Sequence, residues 1–342
     1  MGMRAYITGV SGLKLTAAER AFIHTERPWG LIIFKRNIET REQVTNLVRE
    51  FREALGEPDA PVLIDQEGGR VQRFGPPNWP AYPAGAVFGA LYDLDPALGR
   101  RAAWLSARLM AADLIETGVT VDCLPLADVP VAGADAVIGN RAYGTEPEKV
   151  AAIARAVTEG LEQGGVLPVL KHIPGHGRAT ADTHFKLPVV DTSRAELERV
   201  DFAAFQPLAD LPMAMTAHVV FSALDPAHPA TTSATIITQV IRGVIGFQGL
   251  LMSDDVSMNA LSGSIAERTR AIFAAGCDVV LHCNGNLDEM RDVARETPEL
   301  AGKALQRAVR ALASRRTPQA LDRLAARAEL DVLIERAGTV GA

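Results

Sequence analysis

Short apolar runs alternate with helix-like segments along most of the chain. Apolar runs that lack polar and apolar alternation are typical of parallel strands, because helices cover both faces of a parallel sheet. Eight strands are predicted in this way, at residues 5–8, 29–34, 61–64, 120–126, 166–170, 213–217, 250–252 and 278–281. Amphipathic segments lie between them, including a long helix at about 98–116. The pattern predicts an α/β fold, with a closed (β/α)8 barrel of the TIM type as the leading architecture.

An open, doubly wound sheet is the competing architecture. Such a sheet concentrates its chemistry at one switch point, often beside a glycine-rich nucleotide loop. Here polar segments follow at least four predicted strands, and the sequence contains neither a G-x-G-x-x-G motif nor a phosphate-binding loop motif. We predict that residues 1–342 form a single catalytic domain, in which the helical segment from about residue 301 packs on the barrel.

Composition and charge narrow the classes of function. The net charge of -6 provides no general attraction to nucleic acid or to an anionic membrane. The three cysteines form no close pair, and their odd number argues against a disulfide framework and for a reducing compartment. The amino terminus lacks a secretory signal pattern, and no apolar stretch approaches the length of a membrane span. We therefore expect a soluble cytoplasmic protein; a monomer is compatible with the sequence, which does not fix the oligomeric state.

The residues suited to chemistry directly follow the predicted strands. Side chains at the carboxyl ends of barrel strands converge on one face, even when they are far apart in sequence. Asp254 follows the strand at 250–252, where a carboxylate can act as a nucleophile or stabilise a cation, although it can also cap a helix. Its neighbour Asp255 is expected to point elsewhere if the strand geometry persists, because side chains alternate along a strand.

A second candidate pair lies in a loop of small and polar residues. Asp182 precedes His184 by two positions, so its carboxylate can accept the ring N–H of the histidine and fix its tautomer. The other ring nitrogen is then free to exchange protons with a substrate. A helix cap or an ordinary surface loop is the alternative interpretation.

Further polar residues suggest a binding site. Asp65 and Arg73 flank a turn at Gly68 and Gly69, and a carboxylate with a guanidinium suits the hydroxyl groups of a sugar. Arg141 offers another donor fork, although an arginine in a loop is often a structural ion-pair partner. A histidine-rich cluster could instead bind zinc, although its spacing matches no known metal motif; its members are Lys171, His172, His176, Asp182 and His184.

Together these segments resemble glycoside hydrolase family 3, in particular its bacterial single-domain β-N-acetylglucosaminidases of cell-wall recycling. The resemblance extends from about residue 5 to residue 300. It rests on several motifs in the same order, at residues 65–73 (DQEGGRVQR), 139–141 (GNR), 171–177 (KHIPGHG), 182–184 (DTH) and 253–255 (SDD). Two positions depart from the family pattern: Ile173 replaces the usual phenylalanine, and Thr183 a frequent serine.

The resemblance implies a role for each candidate residue. Asp254 would be the nucleophile, and His184, oriented by Asp182, would be the acid/base. The residues that would hold the N-acetylglucosamine unit are Asp65, Arg73, Arg141, Lys171 and His172. The implied substrate is N-acetylglucosamine linked β-1,4 to 1,6-anhydro-N-acetylmuramic acid, with or without its peptide, and no cofactor or metal is implied.

Two other functions compete with the glycosidase. A metal-dependent barrel hydrolase would use the histidine cluster and would lose its activity to a chelator. A non-catalytic sugar-binding barrel would need neither the Asp182–His184 pair nor a carboxylate at position 254. Substitution of Asp254 by asparagine distinguishes these two functions. It would leave sugar binding by a non-catalytic protein nearly unchanged, whereas it would inactivate a glycosidase.

Overall fold

The computed structural model of the chain describes residues 2–179 and 187–338. Within these ranges the strands are β1 (Arg4–Thr8), β2 (Pro28–Ile33), β3 (Val62–Ile64), β4 (Gln66–Gly68), β5 (Val71–Gln72), β6 (Val121–Asp122), β7 (Leu167–Ile173), β8 (Val189–Val190), β9 (Met213–Thr216), β10 (Val220–Phe221), β11 (Leu250–Asp255) and β12 (Val279–His282). Eight of them are all parallel and close a barrel in the order β1, β2, β3, β6, β7, β9, β11, β12. The predicted TIM-type (β/α)8 barrel is therefore confirmed.

Helices surround the barrel. They are α1 (Ala17–Glu26), α2 (Arg41–Leu55), α3 (Gly85–Leu94), α4 (Pro96–Ile115), α5 (Pro147–Gln163), α6 (Arg194–Leu197), α7 (Ala203–Phe205), α8 (Ile265–Ala275), α9 (Leu287–Glu296), α10 (Gly302–Ala313) and α11 (Arg323–Gly338), with π-helical stretches at Glu198–Phe202 and Ile236–Val244. In the described part of the chain, no helix has the length and apolar character needed to cross a membrane.

Local sequence signals explain where a helix such as α2 begins and ends. The hydroxyl of Thr40 accepts the N–H of Gln43, which satisfies a donor of the first turn that has no partner within the helix. Gly56 ends the helix with a left-handed φ of 74°, a conformation that glycine adopts without steric cost. Between these ends, apolar side chains at helical spacing are buried against the barrel: Val44, Leu47, Val48, Phe51 and Leu55.

The barrel strands send alternate side chains to two separate cores. On β7, for example, Leu167 and Val169 belong to the core inside the barrel, whereas Val166 just before the strand and Leu170 belong to the core between strands and helices. This division follows from the period of two residues along a strand. Apolar side chains predominate among the buried residues, which explains why the strands appear as continuous hydrophobic runs in the sequence.

The main differences from the predicted elements lie at the strand ends and before α4. β7 continues through Lys171 and His172, and β11 continues through Asp254, so residues predicted to follow strands belong to them. β6 has only two residues, although an isolated parallel bridge joins Leu126 to Lys171 beyond it. α3 was not predicted. It precedes the helix predicted at about 98–116, which corresponds to α4.

Two small sheets and the carboxyl-terminal helices complete the described structure. β4 and β5 form an antiparallel hairpin at the end of β3, and β8 pairs with β10 in parallel. α10 contacts β11, and α11 packs along α4 with Ala326, Leu330 and Leu333 buried.

Candidate functional site

One cavity at the carboxyl ends of the barrel strands brings most of the predicted site residues together. Its volume is about 270 Å³, and β3, β7 and β11 open into it. Six predicted residues line it: Asp65, Arg73, Arg141, Lys171, His172 and Asp254. Asp182 and His184, the predicted acid/base pair, lie outside the described residues.

Strand alternation explains why three of these side chains meet. Residues two positions earlier on each strand, Leu63, Val169 and Met252, lie in the core inside the barrel. Because side chains two apart point to the same face, the next inward positions are occupied by polar residues at the mouth of the barrel. Those residues, Asp65, Lys171 and Asp254, line the cavity.

The glycines of the β4–β5 hairpin allow Arg73 to return to the cavity. Gly68 and Gly69 have positive φ angles of 91° and 55°. A Cβ atom on Gly68 would lie only 2.2 Å from the carbonyl oxygen of Pro83, so this close approach also requires glycine. An Nη2 atom of Arg73 then reaches Oδ2 of Asp65 at 3.1 Å. The two charged residues that flank the turn thus form an ion pair at the cavity.

Glu67 organises two cations and was not among the predicted site residues. Its two carboxylate oxygens accept a bidentate pair of hydrogen bonds from Arg141, at 2.7 and 2.8 Å. Lys171, which is only 2% exposed, lies 2.7 Å from Oε1 of Glu67 and 2.9 Å from Oδ1 of Asp65. The cavity wall is therefore a connected network of two carboxylates and three cations, completed by Arg73.

The network keeps its members charged. Burial alone would raise the pKa of Glu67, but the charges of Lys171 and Arg141 outweigh it and lower the pKa to about 2. Burial also acts against the charge of Asp65, yet Lys171 and Arg73 hold its pKa well below the usual value. For Lys171 burial favours the neutral form, and the two carboxylates more than compensate, so its pKa is raised.

Asp128 is a second buried carboxylate that the sequence reasoning missed. Its Oδ2 lies 2.7 Å from Nδ1 of His172, and its Oδ1 accepts the backbone N–H of His176 at 2.6 Å. An ionised carboxylate makes Nδ1 of His172 the protonated nitrogen and leaves Nε2 for other partners. The only sequence signal was a single charge within the apolar stretch 124–131.

His176 lies beside His172, with ring centroids 5.5 Å apart. Burial, followed by the neighbouring His172, lowers the pKa of His176 to about 4, so the ring is neutral at pH 7. His176 was also a candidate member of a zinc-binding cluster. Among the residues that the structure describes, no group of three or more histidine, cysteine, aspartate or glutamate side chains is arranged to hold a metal ion.

Asp254 and Asp255, the two aspartates at the end of β11, both line the cavity, whereas Asp255 was expected to point elsewhere if the strand geometry persisted. The pairing of β11 with β12 shifts register between Met252 and Asp255, so the regular alternation that relates Asp254 to Met252 does not extend to Asp255. Asp255 is nevertheless occupied by local bonds: it accepts the backbone N–H groups of Ser257 and Cys283 at 3.0 and 3.1 Å.

From the described residues, the carboxylate of Asp254 accepts fewer hydrogen bonds than that of Asp255, and it remains ionised. Its Oδ1 accepts the backbone N–H of Asp255 at 2.8 Å. Burial acts to raise the pKa of Asp254, but the neighbouring His218 and His172 and this hydrogen bond lower it below the usual carboxyl value. A half-buried carboxylate that is anionic at neutral pH faces the cavity as a base, a nucleophile or a partner for a cation.

Comparison with known proteins identifies the family of the chain. Residues 5–315 match the profile described as the glycosyl hydrolase family 3 N terminal domain. The chain belongs to glycosyl hydrolase family 3. This family 3 protein is 40% identical to a β-hexosaminidase of Alkalilimnicola ehrlichii over 81% of its own length and 79% of the relative. It is 36% identical to a β-hexosaminidase of Bordetella avium over 92% and 85%.

Solved structures agree with this assignment. NagZ from Neisseria gonorrhoeae, in a complex with a zinc ion, superposes with a TM-score of 0.86 at 31% identity, covering 98% of this chain and 99% of NagZ. NagZ in complex with N-trifluoroacetyl-D-glucosamine superposes with a TM-score of 0.84 at 30% identity, covering 100% and 99%. The protein is therefore a glycoside hydrolase of the β-hexosaminidase type.

Proposed function

We propose that this family 3 enzyme is a retaining exo-β-N-acetylglucosaminidase that uses Asp254 as its nucleophile. The observation that carries the proposal is the placement of an ionised Asp254 in the same cavity as the Asp65, Glu67, Lys171 and Arg141 network. The β-hexosaminidase relatives and the glucosamine derivative bound by one structural neighbour support a terminal N-acetylglucosamine as the sugar.

The chemistry proceeds in two displacements. Asp254 attacks the anomeric carbon while His184, oriented by Asp182, protonates the oxygen of the leaving group, and a covalent glycosyl-enzyme forms. His184 then removes a proton from water, which attacks the same carbon and releases Asp254. Two inversions give net retention, so the first product is the β anomer.

The charged network gives the sugar a rigid set of partners. Asp65 accepts hydrogen bonds from hydroxyl groups, whereas Arg73, Arg141 and Lys171 donate to them. His172 presents Nε2, because Asp128 holds its Nδ1. Since these groups already contact one another, little conformational entropy is lost when the sugar replaces water.

We further propose that the physiological substrates are muropeptides that carry N-acetylglucosamine on 1,6-anhydro-N-acetylmuramic acid, with or without the peptide, and that the enzyme acts in the cytoplasm. Both statements rest on the family resemblance. The odd number of cysteines, which argues against a disulfide framework, supports the compartment.

Two measurements on the wild-type enzyme test these finer statements. Proton NMR during hydrolysis should show β-N-acetylglucosamine before mutarotation produces the α anomer; initial release of the α anomer would contradict retention. The value of kcat/KM should be higher for the anhydromuropeptide disaccharide than for N,N′-diacetylchitobiose. Equal or reversed values would contradict the proposed substrate but not the proposed glycosidase activity.

A metal-dependent hydrolase is the second candidate, because one structural neighbour was solved with a zinc ion. Chelation separates the two mechanisms. Activity that survives prolonged treatment with a chelator supports the covalent mechanism, whereas activity that is lost and then restored by zinc supports the metal-dependent one.

A further inference from the structure

Three buried side chains lie directly behind Asp254. Thr216 ends β9, His218 follows two positions later, and Thr231 comes from the short 3-10 helix Ala230–Thr232. Each of them is 0% exposed, so none contacts a substrate from the solvent side. Buried polar groups of this kind are retained only where their hydrogen bonds are satisfied.

The three side chains form a continuous chain of hydrogen bonds. His218 Nε2 lies 2.9 Å from the carbonyl oxygen of Asp255, and His218 Nδ1 lies 2.8 Å from the hydroxyl of Thr231. The hydroxyl of Thr231 lies 2.8 Å from that of Thr216. Thr216 in turn accepts the backbone N–H of Asp254 at 3.4 Å, the longest contact of the series.

This chain of hydrogen bonds contacts the backbone of β11 where its regular strand pairing stops. On the β9 side, β11 is paired in register only through Met252 and Met215, and on the β12 side its register shifts between Met252 and Asp255. The backbone at Asp254 and Asp255 therefore lacks an uninterrupted ladder to either neighbouring strand. The N–H of Asp254 and the carbonyl of Asp255 are instead held by Thr216 and His218.

For most of these hydrogen bonds, the chemistry of the two groups fixes which one donates and which one accepts. A carbonyl only accepts, so His218 Nε2 carries a hydrogen. A backbone N–H only donates, so Thr216 accepts from Asp254, and its own hydrogen is satisfied when it is donated to Thr231. The hydrogen of Thr231 then points either to His218 Nδ1 or to the carbonyl of Ala217, which lies 3.0 Å away. Thr231 is thus the one member that joins both arms.

We propose that Thr231 is a positioning residue for Asp254, acting through Thr216 on one side and through His218 on the other. The proposal rests on the proposed function, because it requires Asp254 to be the nucleophile. A nucleophile must approach the anomeric carbon within a few tenths of an ångström of the productive geometry, and an error of about 1 Å costs roughly a hundredfold in rate.

Two substitutions separate positioning from simple core stability. Thr231→Val keeps the shape and removes the hydroxyl, whereas Thr231→Ser keeps the hydroxyl and removes a methyl group. With 4-nitrophenyl N-acetyl-β-glucosaminide we expect kcat of Thr231→Val to fall by about ten- to a hundredfold. The inhibition constant of N-acetylglucosamine should stay within about twofold, because the sugar-binding network is untouched. Thr231→Ser should stay within about threefold of wild type.

Thr232→Val is the matched control. This neighbour belongs to the same 3-10 helix, but its hydroxyl reaches the carbonyl of Pro229 and not the chain behind Asp254. It should keep the wild-type kcat. Unchanged kcat in folded Thr231→Val, or an equal loss in Thr231→Ser, would overturn the positioning role.

Two further measurements keep the test decisive. Nitrogen-15 NMR of histidine-labelled wild-type enzyme should show a hydrogen on Nε2 of His218 between pH 5 and 8, whether or not the valine variant folds; a neutral Nδ1–H tautomer would overturn the chain. Asp254→Asn is assayed in parallel. If it retains full activity, the proposed function and this inference both fail; if it is inactive while Thr231→Val is normal, only the inference fails.

Discussion

At the scale of single residues, the site depends on carboxylates that contact the protein rather than the sugar. Glu67 holds Arg141 and Lys171, and Asp128 holds His172. Six residues that line the cavity were predicted from the sequence, whereas Glu67, which also lines it, and Asp128 were not. In a sequence, a carboxylate that pairs with another side chain looks the same as one that faces solvent, because the distinction depends on partners more than 40 positions away.

Glu67→Gln should destabilise the enzyme strongly, because it leaves Arg141 and Lys171 without a full counter-charge in a buried place. Removing one partner of a buried ion pair typically costs about 3–5 kcal/mol. The free energy of unfolding in urea measures this loss. Glu53→Gln is the control, since Glu53 pairs with Arg49 on the surface and should cost less than about 1 kcal/mol. Equal losses would contradict the network.

The same carboxylate predicts a pH dependence. The pKa of Glu67 falls from 4.5 to about 2 in the folded protein, so its contribution is fully present above pH 4.5 and is lost as the pH falls from there toward 2. The stability difference between wild type and Glu67→Gln should therefore shrink steadily as the pH falls from 4.5 toward 2. A constant difference over this window would show that the charge of Glu67 is not responsible.

At the scale of elements, the predicted strands are right in number and order because each is a continuous apolar run. Their ends are less predictable: Lys171 and His172 belong to β7 although their polarity suggests a loop. The barrel accommodates these two side chains because they face a cavity that other charged side chains line. A strand end that carries chemistry therefore breaks the hydrophobic pattern by which strands are recognised.

Helix α3 was missed for a related reason. Its glycines lower the helical propensity, yet they permit close packing against the loop that carries Arg141. A Cβ atom on Gly85 would lie 2.1 Å from the carbonyl oxygen of Arg141, and one on Gly89 would lie 2.0 Å from that of Tyr143. The sequence shows that these glycines lower the helical propensity. It does not show the neighbouring backbone, which leaves no room for a side chain at these positions.

Gly85→Ala should therefore destabilise the protein although alanine is the better helix former. The clash displaces the backbone of Arg141, and we expect a loss of about 1–3 kcal/mol together with a higher KM for the sugar. Urea unfolding and steady-state kinetics measure the two effects. Gly12→Ala is the control, because a Cβ atom there meets nothing within 4 Å. Stabilisation by Gly85→Ala would refute the proposed contact.

At the scale of the whole molecule, the order of the strands accounts for the convergence of the site. Asp65, Lys171 and Asp254 are up to 189 positions apart, and closure of the parallel barrel brings all three to one rim. The sequence could predict the barrel and this rim from pattern alone, but not the contacts across it. That residues 1–342 form one catalytic domain stays a prediction.

The central claim is that Asp254 is the nucleophile of an N-acetyl-β-glucosaminidase, and one kinetic comparison tests it most directly. Wild type and Asp254→Asn are assayed with 4-nitrophenyl N-acetyl-β-glucosaminide in the presence of a chelator, after both proteins are shown to be folded. The account predicts chelator-resistant hydrolysis by wild type and a loss in kcat on the order of 10⁴ in the variant, the scale seen when a covalent hydrolase loses a catalytic group. Comparable rates for the two proteins would contradict it.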